Sequence, residues 1–139
     1  MPLKKFYPTA CAVLLTALLH GCATIPGATY YYDEVVVINQ SRSLVRDVEI
    51  AATDSGRVFS CGNIAPRGMC SNRFRPQVYR GSPIQVAWAI GDGRRRSEII
   101  ELELPVSVVA AVPLRGVLLI GARGEISAYL QQDNPGPHL

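Results

Sequence analysis

Between Tyr30 and Leu130 the apolar runs are short, rich in Val and Ile, and cut by Gly, Pro, Asn or Asp before any reaches the length of an ordinary helix. That punctuation leaves strands as the only regular element the chain can build repeatedly. Tyr30-Tyr31-Tyr32 leads into Glu34–Asn39, aromatic and then β-branched, which suits a pleated surface. After a turn at Asn39–Arg42, Leu44, Val48 and Ile50 alternate against Asp47 and Glu49 as a half-buried strand. Asp54-Ser55-Gly56 breaks the chain before a short strand from Arg57 to Cys61, and Ser71–Pro76 reads as an edge strand or an irregular connection. Pro83 opens a strand whose Ile84, Val86, Trp88 and Ile90 share one face, placing Trp88 in the core. Gly91-Asp92-Gly93 turns it back into a return strand over Ser97–Leu104. Pro105 and Pro113 bracket Val106–Val112, an apolar run expected to be buried on both faces or to lie over a core. Val117–Ile120 and Glu125–Leu130 form a last pair, joined by Gly121-Ala122-Arg123-Gly124. The fold class expected is all-β: a single small immunoglobulin-like β-sandwich of seven or eight strands over residues 30–132, followed by a polar, Pro/Gly-rich tail at 133–139 expected to be disordered.

The first two dozen residues have another character. Lys4 and Lys5 precede an apolar stretch from Cys11 to Leu19. The run from Ala10 to Leu19 is about half the roughly 20 apolar residues that span a bilayer. It closes on Leu19-His20-Gly21-Cys22, with a small residue directly before the cysteine. In this segment the chain resembles the bacterial lipoproteins, whose lipobox carries a diacylglyceryl thioether on its cysteine. The resemblance implies a signal peptide at 1–21, lipidation of Cys22, and a tether at 22–29 holding the domain against the membrane. Ala23 is not the Asp that marks inner-membrane retention in that family, so the implied location is the outer membrane, facing the periplasm. His20 departs from the family's usual Ala, Ser, Thr or Val, which leaves open an ordinary signal peptide cut slightly later with no lipid added.

Removing 21 of 139 residues leaves 118, a size suited to one domain. Both lysines leave with the signal, so twelve arginines face eleven carboxylates. That balance offers no field for gathering nucleic acid. With Cys11 discarded and Cys22 assigned to lipid, Cys61 and Cys70 remain, and in an oxidising envelope compartment they are expected to form a disulfide. The rival reading, a soft metal site of Cys61, Met69 and Cys70, lacks the histidine or paired spacing such sites use.

Histidine is absent between the signal and the tail, where His20 and His138 lie, so a Ser-His-Asp or Cys-His arrangement is effectively excluded. Glu101 and Glu103 would share one strand face as an acid–base pair or, more simply, as a solvent face. Arg94, Arg95 and Arg96 follow the hairpin turn and would cluster at one end, either to contact lipid phosphate or an acidic protein or merely as a solvated turn. Arg73, Phe74, Arg75, Tyr79 and Arg80 mix cationic and aromatic groups beside the cysteines and form the preferred partner surface, unless they cap a sheet edge. Of Tyr30–Tyr32 at least one must face outward. The expected function is a non-catalytic anchor or adaptor in the envelope, with a membrane and a protein as partners and with no cofactor, small-molecule substrate or nucleic acid. In architecture the chain looks like the small sandwich lipoproteins that anchor envelope machines such as type VI secretion systems. The alternatives are an inhibitor or immunity lipoprotein presenting Arg67 at the tip of the Cys61–Cys70 loop, and a metal or lipid carrier.

Overall fold

A computed structural model describes residues 27–81 and 83–132; the expected signal peptide at 1–21, the expected lipidation site Cys22 and the tail at 133–139 lie outside them. The described residues form eight strands: β1 (Tyr31–Asn39), β2 (Val45–Ala52), β3 (Val58–Ile64), β4 (Met69–Val78), β5 (Ile84–Ile90), β6 (Arg96–Ile100), β7 (Leu114–Ile120) and β8 (Ile126–Gln132). They make two four-stranded sheets, ordered β4-β1-β7-β8 and β3-β2-β5-β6. All neighbouring strands are antiparallel except β1 and β7, which run side by side in the same direction. The result is the all-β sandwich expected from the strand pattern.

Alternation explains the core. Val35 and Val37 of β1 and Leu118 and Ile120 of β7 point from one sheet; Val48 and Ile50 of β2 and Val86 and Trp88 of β5 meet them from the other. Ile84 and Ile90 complete the Trp88 face as anticipated, partly buried against this cluster. A smaller cluster of Tyr30, Leu114 and Leu130 closes one end, and Tyr31 faces out between the inward Tyr30 and Tyr32.

Three local expectations change. On β2 the core residue is Val45, not Leu44, which is 39% exposed. Asp47 takes a φ of 52°, and the pairing slips between Val45 and Val48, so an extra residue is absorbed in a bulge that flips the face before it. The return strand stops at Ile100, so Glu101 and Glu103 are exposed on an irregular segment and not on a strand. Val106–Val112 forms no strand. Its flanking prolines lack N–H donors, and the side chain of Gln132 takes over its backbone, accepting from Val109 N at 2.8 Å and donating to Val109 O and Val112 O at 2.7 Å each.

Asn39, fully buried at the end of β1, ties the first turn to the third strand. Its Nδ2 donates to the carbonyls of Ser43, Ile64 and Ala65 at 2.8, 3.1 and 3.0 Å, and its Oδ1 accepts from Ser41 N and Oγ. Asn39→Ala strands several buried acceptors and is expected to cost about 1–3 kcal/mol, read as a lowered urea midpoint.

Candidate functional site

Strand direction sorts every loop to one of two ends. β1 begins, following the segment 22–29 expected to be a tether, at the end that carries the loops 53–57, 79–83 and 101–113; the loops 40–44, 65–68, 91–95 and 121–125 lie at the other. β1 alone has nine residues, so the ends are about 30 Å apart. The far-end loops hold five exposed arginines, Arg42, Arg67, Arg94, Arg95 and Arg123, against two carboxylates, Asp92 and Glu125. The tether-end loops hold Arg57 and Arg80 against Asp54, Glu101 and Glu103. A chain nearly neutral by composition is thus polarised by its fold.

The far end is also held in place. Arg46 reaches up from β2 and donates from Nε to Gly91 O at 2.6 Å and from Nη2 to Gly93 O at 3.2 Å, fixing the turn that carries the arginine run. The run itself divides: Arg95 pairs with Glu49 on the outer face, while Arg96 donates to Arg123 O at 3.2 Å across the gap between sheets. Trp88 Nε1 donates to Gly124 O at 3.1 Å, binding the β7–β8 turn to the core. Glu125 caps that turn by accepting from Arg123 N at 2.8 Å. Hydrogen bonds from its own and Arg123's backbone hold its carboxyl below the ordinary range.

The surface anticipated at Arg73, Phe74, Arg75, Tyr79 and Arg80 is not one surface. β4 alternates, so Arg73 and Arg75 face out while Phe74 turns in, stacking on Phe59 at 4.8 Å and meeting Tyr32 edge-on at 5.5 Å. Tyr79 hydroxyl donates to Leu102 O, and burial pushes its pKa up. Arg80 lies at the tether end. The inward side chains instead make a seam between the edge strands β3 and β4. There Cys61 and Cys70 form a disulfide, Cα atoms 5.9 Å apart, with Asn72 Nδ2 3.6 and 3.5 Å from the two sulfurs. Both thiols are therefore spent on the bond, and Met69 is on the opposite face of β4. The loop between these strands has only four residues, turned back by Gly68 N on Ala65 O at 2.9 Å and held to Ser41 O through Arg67 N at 3.3 Å. Arg67 is exposed on this four-residue turn.

One charged group escaped the sequence reading altogether. Glu34 is 7% exposed on the outer face of the β4-β1-β7-β8 sheet, where register brings Arg73 and Arg115 to either side of it, at 3.3 and 2.9 Å. Ser71 donates to the same carboxylate. That hydrogen bond above all, helped by the two guanidinium groups, lowers the Glu34 pKa against the opposing effect of burial. A lowered folded pKa adds stability above the unfolded value near 4.3 and loses it as pH falls through the folded value. Thermal midpoints of the native chain should therefore drop on acidification below about pH 4.3, and Glu34→Gln should flatten that limb. Beside the triad lie Val36, Val117 and Tyr129 in one cross-strand row, which ends on Ser71, and Met69, Ile38 and Leu119 in the next, which ends on Ser127, so the outer face here is largely apolar.

Between the sheets at the tether end a cavity lined by Tyr32, Ile50, Phe59, Ile84, Leu102 and Leu118 encloses about 40 Å³. That admits one or two waters and is far below the roughly 300 Å³ of a small-molecule pocket. Among the described residues no group of three or more His, Cys, Asp or Glu is gathered for a metal ion.

No family model and no curated protein matches this chain. Among solved structures, an NMR structure of a protein from Eubacterium rectale is similar over 83% of this chain and 98% of its own, at 14% identity and a TM-score of 0.44, and this likeness bears on no function.

Proposed function

We propose that this chain is an outer-membrane lipoprotein, anchored through Cys22 and facing the periplasm, that works without catalysis as an adaptor by offering its far end to an acidic protein partner. The observation that carries the reading is the polarity of the domain: the tether enters at one end and the excess arginine charge sits about 30 Å away at the other. A protein held by lipid at one end would present Arg42, Arg94 and Arg123 away from its own membrane. Acidic protein surface then suits these far-end arginines better than headgroups of the anchoring leaflet. The Gly91–Gly93 turn is pinned by Arg46 and the β7–β8 turn by the Trp88–Gly124 bond, so little backbone ordering cost remains on binding.

The inhibitor reading needs a projecting loop, and the four-residue turn at Arg67 does not supply one. The lipid-carrier reading needs a larger cavity than about 40 Å³. The test is chemical crosslinking in intact cells, followed by purification and mass spectrometry, comparing the native chain with Cys22→Ala and with Arg94→Glu/Arg123→Glu. One or two envelope proteins captured by the native chain and lost in both variants is the expected result. Capture that survives reversal of both arginines would refute the far end as the docking site.

A further inference from the structure

Residues 104–113, Leu-Pro-Val-Ser-Val-Val-Ala-Ala-Val-Pro, carry no charge and a single hydroxyl. The fold nonetheless leaves them outside: Val106 is 87% and Val109 58% exposed. Single exposed apolar side chains are ordinary, but an uncharged loop displaying several marks a surface with a partner. This loop is held from within. Val108 and Ala110 pack with Leu102 and Leu104 on the Tyr30–Leu114–Leu130 cluster, and the Gln132 amide grips the backbone at Val109 and Val112.

Its place in the fold identifies the partner. The loop runs directly into Leu114, whose register partner on the parallel strand β1 is Tyr32, so loop and tether emerge side by side. Ala28 of the tether packs in the same cluster as Val108 and Ala110. From Cys22 to Ala28 is six residues, a reach of at most about 20 Å. A lipid on Cys22 would therefore bring this end, and no other, to the membrane surface.

We propose that the 104–113 loop inserts into the headgroup and upper acyl region of the membrane that holds Cys22, giving the domain a second membrane contact and a fixed upright orientation. The inference rests on the lipidation reading above. Three features suit a lipid surface in particular. The Gln132 amide satisfies backbone groups that would otherwise lose water on insertion. Tyr31, 40% exposed at the same end, offers the ring with a polar tip that the interface favours. The charged residues here, Asp54, Arg57, Arg80, Glu101 and Glu103, nearly cancel and belong to the neighbouring loops or the base of this one, so insertion depends on neutral side chains and not on headgroup charge.

The full chain, expressed with its signal and purified from membranes, would first be weighed by intact mass spectrometry. Val106→Trp, Val109→Trp and Arg123→Trp versions would then be placed in phosphatidylethanolamine–phosphatidylglycerol vesicles containing lipids brominated near the glycerol. Trp88 is buried and supplies a constant background, and matching circular dichroism spectra show that each version is folded. With a lipidated chain, blue-shifted and quenched emission at positions 106 and 109, but not at 123, is the expected result. A lipidated chain with no quenching at 106 or 109 overturns the loop proposal and leaves the anchor standing. An unlipidated chain overturns the anchor; quenching on adding vesicles would then still uphold the loop, and its absence would overturn both.

Discussion

Trp88→Ala is expected to cost about 3–5 kcal/mol, measured as a shift of the urea midpoint at unchanged slope. Trp88 is 2% exposed in the centre of β5, packed between sheets with Val86, Leu118 and Ile120 in the same cluster. Removing the indole opens a cavity that a closely packed sandwich fills poorly. It also strips Gly124 O of its donor. The second effect is separable, because Trp88→Phe keeps most of the volume and gives up the hydrogen bond, with an expected cost nearer 1–2 kcal/mol. Against a total of about 5–15 kcal/mol the alanine change alone approaches unfolding. Trp88 thus also fixes the turn that carries Arg123.

Breaking the Cys61–Cys70 bond is the second large effect. The cysteines are nine positions apart, and in the chain-entropy account closing so short a loop contributes about 2.5–3 kcal/mol. Here the bond joins β3 to β4, edge strands of different sheets, with no ladder between them and the Phe59–Phe74 stack as the adjoining contact. Reducing agent should lower the urea midpoint of the native chain and leave Cys61→Ala/Cys70→Ala unaffected, because that variant has already lost the bond. Asn72, whose amide faces both sulfurs, would also lose these acceptors.

What could be read from the sequence was local. The Gly91-Asp92-Gly93 hairpin, the Ile84–Ile90 face and the cysteine pair each depend on neighbours in the chain, and all three appear in the structure. The bulge at Asp47 depends on one residue's left-handed backbone, and an alternating pattern carries no sign of it. Of the two readings of Val106–Val112, a strand buried on both faces or a run lying over a core, the second holds in part, with Val108 and Ala110 on the Tyr30–Leu114–Leu130 cluster. Composition reports apolarity but not whether a sheet edge stands ready to pair. The Glu34 triad needed the register of three strands that meet only in the fold: β1, β4 and β7 are far apart in sequence. The grouping of Arg73, Phe74, Arg75, Tyr79 and Arg80 on one face is lost for the opposite reason. Arg73 to Arg80 are neighbours in sequence, but strand alternation sends Phe74 inward and Arg73 outward. Charge polarity was hidden too, since a near-neutral composition says nothing of which loops share an end.

The proposed orientation sets the tether end at the membrane and the arginine end against a protein. It is tested most directly by placing a photoreactive benzophenone side chain at position 94 or at position 106 of the full chain and illuminating intact cells. Discrete protein adducts from position 94 and lipid adducts from position 106, both abolished by Cys22→Ala, are the expected result. Protein adducts from position 106 with none from position 94 would contradict it.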